Sequence, residues 1–145
     1  MKILRRLFGE KRLIHSLDHI AIEVSDMNRS VEFYSGILGF DVLLDGRSGG
    51  GKKKTFLGVE LKSMIALSEN KNRISNKTGY VEGLNHVAFT VSDFERARKL
   101  LTDSQVEIVE DKIGDNGITR VCHFLDPDGL ELEICEELGE EVPPY

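Results

Sequence analysis

An α+β fold of two tandem βαβββ units is what this sequence predicts, and two observations carry it. "LDHIAIEVSDMNR" at residues 17–29 returns as "LNHVAFTVSDFER" at 84–96, with seven of thirteen residues identical at an offset of 67. The segments that follow each copy also repeat their pattern, so the structure behind the motif is duplicated.

Each unit opens with strict alternation. His19, Ala21 and Glu23 share one face against Ile20, Ile22 and Val24; His86, Ala88 and Thr90 oppose Val87, Phe89 and Val91. A period of two with one apolar face marks a half-buried strand. Both strands run into Ser-Asp, which suits a helix N-cap. Helical spacing follows at Met27, Val31, Tyr34 and Leu38 in the first unit, and at Phe94, Ala97 and Leu101 in the second. Gly39 closes the first helix. Three more strands are expected in each unit, at about 40–45, 53–59 and 62–68, then 105–111, 117–125 and 130–136. "DPDG" at 126–129 supplies the turn before the last strand. The expected organisation is an N-terminal extension (1–13), one domain over 14–137 and an acidic tail (138–145). Within the domain, unit one runs 14–68, a polar linker 69–82 and unit two 83–137.

Composition limits the function. The chain has 145 residues, 40% apolar and 30% charged, with a net charge of −6. That charge argues against a nucleic-acid surface, which needs clustered Lys and Arg. No apolar run reaches the length of a membrane span. "MKILRRLFGEKR" has no continuous apolar stretch or cleavage site of a secretory signal and reads as a short capping or docking helix. Cys122 and Cys135 lack C-x-x-C spacing and read as reduced core thiols of a cytoplasmic protein.

One helix on the apolar face of each sheet leaves the histidine faces to meet around a cleft. In the last strand, Leu132 and Ile134 pack under the helix and point Glu131 and Glu133 toward the cleft. Inward carboxylates are costly without a partner. A metal ion held with His19 and His86 is the natural one, because two imidazoles and a carboxylate suit Fe(II), Mn, Co, Ni or Zn and leave positions open. A histidine in an alternating strand is ordinarily a hydrogen-bonded structural residue. Two at repeat-equivalent positions, facing an inward glutamate, point to a site.

The paired βαβββ units, the strands "HIAIEV" and "HVAFTV", and "FLDPDGLELEI" near the end resemble the vicinal oxygen chelate superfamily over about residues 14–137. That superfamily includes glyoxalase I, methylmalonyl-CoA epimerase, extradiol dioxygenases, fosfomycin-resistance enzymes and metal-free bleomycin-resistance proteins. The resemblance implies His19, His86 and Glu133 as metal ligands, with Glu133 also catalytic and Glu131 a neighbour. It puts Ala66 where glyoxalase I has a fourth ligand that serves as base. His123, ten residues before Glu133, falls where relatives place a pocket-lining aromatic residue; it is a candidate acid/base or hydrogen-bond donor, or a hydrogen-bonded strand residue. Glu23 is a weaker candidate base, and Arg120, of opposite parity, is expected to face outward. "GRSGGGKKKT" (46–55) lacks the spacing of a phosphate loop and reads as a hairpin loop whose Lys52, Lys53 and Lys54 attract an anionic substrate.

The function implied is that of a metal-dependent enzyme of the glyoxalase/lyase type, chelating adjacent oxygens of a small substrate. The alternatives are a ring-cleaving dioxygenase, fosfomycin-type addition of thiol or water, and a small-molecule binding protein without metal. The resemblance also implies a homodimer.

Overall fold

The computed structural model describes residues 16–48, 53–72, 84–113, 117 and 119–136. The N-terminal extension, the acidic tail and most of the linker lie outside the described residues. So do positions 49–52 of the lysine-rich loop.

Unit one comprises β1 (Ile20–Val24), α1 (Met27–Val31), a π-helical turn (Glu32–Ile37), β2 (Asp41–Leu44), β3 (Lys54–Val59) and β4 (Lys62–Glu69). Unit two comprises β5 (Val87–Val91), α2 (Phe94–Asp103), β6 (Ile108–Ile113), β7 (Arg120–Leu125) and β8 (Glu131–Glu136). Each unit folds into a four-stranded mixed sheet, in the orders β1-β4-β3-β2 and β5-β8-β7-β6. In both, the first strand pairs parallel to the last and the other pairings are antiparallel. This is the tandem βαβββ architecture that the repeat predicts.

The Ser-Asp pairs cap both helices. Asp26 accepts from the backbone N–H of Arg29, and Asp93 from that of Arg96, each at 3.0 Å. The first helix departs from a plain α period after Val31. The wider π turn carries two consecutive aromatic residues inward, with Phe33 6% and Tyr34 0% exposed. Gly39 follows at φ +81°, where a side chain is strained. In unit two, β6 begins at Ile108 rather than about residue 105, because Gln105 adopts φ +57° after α2 and cannot join a strand.

The units are joined through their helix-covered faces. Ile22, Val24, Leu57, Ile65 and Leu67 of unit one share one buried cluster with Val87, Phe124, Leu132 and Ile134 of unit two. Phe40 meets Phe89 edge-on with ring centroids 5.2 Å apart. The 126–129 turn completes the junction: Tyr34 donates to Asp126 Oδ2 at 2.9 Å, and Ser25 and Arg29 donate to Asp128.

Candidate metal centre

Unit two brings four side chains onto the sheet face opposite its helix. His86 immediately precedes β5, two residues before Ala88, and Ala88 pairs with Glu133 on β8. On the other side of Glu133, β7 pairs His123 with it, and Glu131 projects from the same face of β8 two residues earlier. Between His86 and His123 the pairing residue is therefore a small alanine beside a glutamate, and both rings reach the same carboxylate.

The donor atoms converge. His86 Nε2 and His123 Nε2 each lie 3.1 Å from Glu133 Oε2. The two rings meet edge-on, with centroids 4.9 Å apart. Both Nδ1 atoms have partners of their own: Asn85 Oδ1 at 2.6 Å for His86, and Glu131 Oε1 at 2.8 Å for His123. His123 is buried, and the Glu133 side chain is 12% exposed against 31% for His86. One set of ligand atoms from His86, His123 and Glu131 lies within 4.8 Å of one another. Two imidazole nitrogens and a carboxylate oxygen brought to 3.1 Å form a donor set that suits a divalent metal.

His19 stands outside this group. It precedes β1 in the other sheet, where its Nδ1 meets Asp18 at 2.5 Å and its ring meets Phe56 edge-on at 5.8 Å. Its surroundings repeat those of His86 at the same offset. Ala66 pairs with Ala21 and Phe56 as Glu133 pairs with Ala88 and His123. Ile65 and Leu67 enter the core while Ala66 does not join that cluster, which sets Ala66 on the His19 face. The units thus carry His-Phe-Ala in one and His-His-Glu in the other at matched positions.

The remaining candidates are placed as follows. Arg120 stacks over the Phe94 ring at 4.9 Å and pairs with Glu136 and Glu95 on the helix side, away from His123. Those carboxylates raise its pKa, Glu136 foremost. Glu23 accepts from Asn70 Nδ2 at 3.3 Å. Lys53 pairs with Glu69 at 3.6 Å, and Lys54 is exposed at the start of β3. An apolar cavity of about 460 Å³ between the units is lined by Phe40, Met64, Phe89, Leu100 and Ile134, and none of its lining residues belongs to the histidine–glutamate group. Asn85 and the junction acids Asp126 and Asp128 were not foreseen. "DPDG" signals a turn, but nothing local in it tells that its acids will be buried against another unit. No helix among the described residues is long and apolar enough to cross a membrane.

Comparison with known proteins agrees with this architecture. The profile of the Glyoxalase/Bleomycin resistance protein/Dioxygenase superfamily matches residues 16–134. Metallothiol transferase FosB of Staphylococcus epidermidis is 32% identical over 123 residues, which cover 83% of this chain and 81% of that protein. The crystal structure of a glyoxalase family protein from Enterococcus faecalis superposes with a TM-score of 0.72 at 26% identity, covering 86% of this chain and 100% of the other. The trypanothione-dependent glyoxalase I of Leishmania major superposes with a TM-score of 0.67 at 26% identity, covering 86% and 88%. With the profile spanning most of its length, the chain belongs to the Glyoxalase/Bleomycin resistance protein/Dioxygenase superfamily.

Proposed function

We propose that this protein is a metal-dependent enzyme that grips adjacent oxygens of a small substrate and promotes addition of a thiol or similar nucleophile. The observation that carries the reading is the meeting of the His86 imidazole and the Glu133 carboxylate at 3.1 Å on the sheet face opposite the helix. When bound, a divalent ion (Zn, Ni, Co, Mn or Fe(II)) supplies Lewis acidity to the chelated oxygens. His86 and Glu133 hold it, and Asn85 fixes the ring of His86.

His19 completes the set from a second copy of the chain. Its own sheet faces away from the junction of the units, so a homodimer in which unit one of one copy covers unit two of the other brings the ligands together. Among the described residues β1 and β5 stand at the ends of their sheets, the positions at which strand edges take part in such an association.

Addition is favoured over isomerisation by Ala66. Isomerisation of the glyoxalase kind draws on a carboxylate base at that position, and a methyl group moves no proton. The FosB proteins carry the name metallothiol transferase and match most of this chain. The lyase of the glyoxalase I type is the second reading, supported by the 26% identity to the Leishmania major enzyme.

The experiment is an activity panel on metal-loaded protein: fosfomycin with a low-molecular-weight thiol, hemithioacetals and catechols. Metal-dependent consumption of thiol is the expected result. Hemithioacetal turnover without thiol adducts moves the assignment to the lyase, and a protein that takes up no metal after reconstitution is a binder instead.

A further inference from the structure

We infer that His123 is itself a metal ligand, held in its ligating orientation by Glu131, so that unit two alone supplies three donors: His86, His123 and Glu133. The inference rests on the metal-dependent reading above and adds a donor to it. Unit one has no counterpart, since Phe56 stands at the position matching His123.

The first argument is spacing. Two donors bound at about 2.1 Å to one ion, and 90–109° apart, lie about 3.0–3.4 Å from each other. His86 Nε2 and His123 Nε2 both lie 3.1 Å from the same oxygen, Glu133 Oε2. By that measure His123 is as well placed a neighbour of Glu133 in a coordination sphere as His86 is.

The second argument is the placement of protons. A neutral imidazole carries one N–H. In both rings Nδ1 faces an oxygen that accepts: Asn85 Oδ1 for His86 and Glu131 Oε1 for His123. With the N–H committed there, each Nε2 presents a lone pair, and both lone pairs meet the lone pairs of Glu133 Oε2. A metal ion between these three atoms satisfies all of them at once. An outer carboxylate that accepts from Nδ1–H and leaves Nε2 for the ion is the usual companion of a ligating histidine. Glu131 occupies that place, which gives a purpose to the second inward glutamate of β8. It acts through His123 and is a positioning residue.

The third argument is burial. His123 is 8% exposed, and its two ring nitrogens each face a carboxylate, Nδ1 that of Glu131 and Nε2 that of Glu133. A buried imidazole between two acids is well satisfied when Nδ1–H goes to one and an ion shared with the other binds Nε2.

The test uses the full chain stripped of metal and titrated with Zn(II) by calorimetry, with the number of bound imidazoles counted by X-ray absorption. The variants are His123→Phe, which copies the unit-one residue, His123→Gln, Glu131→Leu and Glu131→Gln, each checked for fold by circular dichroism. Loss of the ligand should weaken Zn(II) binding by at least about 100-fold and lower the imidazole count by one in both His123 variants. Glu131→Leu should weaken it by about 10–100-fold without lowering the count, and Glu131→Gln, which keeps an acceptor oxygen, should restore most of the loss. If folded His123→Phe or His123→Gln binds within twofold of the parent with an unchanged count, His123 is not a ligand. If the parent itself binds no Zn(II), the metal-dependent reading fails and this inference with it. If His86→Ala abolishes binding while the His123 variants do not, only the inference fails.

Discussion

Ser25 of the first unit and Asp128 of the second are joined by two hydrogen bonds, from the Ser25 backbone N–H at 2.9 Å and from its hydroxyl at 2.5 Å. Arg29 donates to the same carboxylate at 3.0 Å, and the Asp128 side chain is wholly buried. The turn that closes unit two is therefore also the acceptor that satisfies the helix entry of unit one. Asp128→Ala should destabilise the fold by about 3 kcal/mol, because the serine donors and the guanidinium lose a buried acceptor together. Urea unfolding of the metal-free protein measures it; a loss below about 1 kcal/mol would show that water replaces the carboxylate.

Asp126 gives the junction a pH dependence. Burial raises its pKa above the ordinary 3.8, against the lowering effect of hydrogen bonds from Leu130, Tyr34 and Asp128. The folded state then binds this proton more tightly than the unfolded state does. Its stabilising effect is full below the unfolded value and is lost as pH rises through the folded value. Asp126→Asn lacks that titration, so the stability of the parent relative to the variant should fall from pH 4 toward neutrality. A constant difference across that range would contradict the expectation.

The ligand set is separable by single substitutions. His19→Ala, His86→Ala and Glu133→Ala are each expected to abolish tight Zn(II) binding while circular dichroism stays unchanged. Light scattering should give twice the chain mass at micromolar concentration. A monomer that still loses its metal on His19→Ala would require the histidines to meet within one chain.

Ala66→Glu adds a carboxylate on the His19 face, at the position matching Glu133. Bare, that group is desolvated; beside a divalent ion it gains a partner, so Zn(II) affinity should rise by about tenfold or more. Addition chemistry that needs an open coordination position should slow, and hemithioacetal isomerisation should appear or increase. Unchanged affinity with both activities intact would remove Ala66 from the metal's surroundings.

The thiols should be slow to react. Burial pushes Cys122 up to about 11 and also raises Cys135, whose Sγ donates to Phe89 O at 3.5 Å. Thiolate is the reactive form, so iodoacetamide at pH 8 should modify the native protein far more slowly than the urea-unfolded chain. Mass spectrometry over time measures the difference, and equal rates would show that neither thiol is protected.

Much of this was legible because period and repetition are local properties. The alternation around His86 fixes which side its ring takes, and the parity of Leu132 and Ile134 fixes that of Glu131 and Glu133. The offset of 67 then puts Ala66 opposite Glu133 in the repeat, and the observed pairing of Ala66 with Ala21 and Phe56 follows that register. What was not legible depends on contacts between units. No pattern near Asp128 names Ser25 as its partner, and the π turn at Glu32–Ile37 answers to the packing of Phe33 and Tyr34, not to helix propensity. His123 stood out by type and spacing, but its partnership with Glu131 needed the β7–β8 register.

The bond from Ser25 to Asp128 closes over 103 residues of chain. On the ribosome, at about 5–20 residues per second, that separation is a wait of roughly 5–20 s. Among the described residues the strands of unit one pair with one another, so those pairings are available early. The aromatic face of that unit waits: Phe33, Tyr34 and Phe40 lack these partners until Phe89, Phe124 and Asp126 have been made. A nascent chain halted before residue 87 leaves that aromatic face without its partners from unit two, the kind of surface that chaperones hold and that other chains adhere to. Release of that hold is timed by the last strands to be translated.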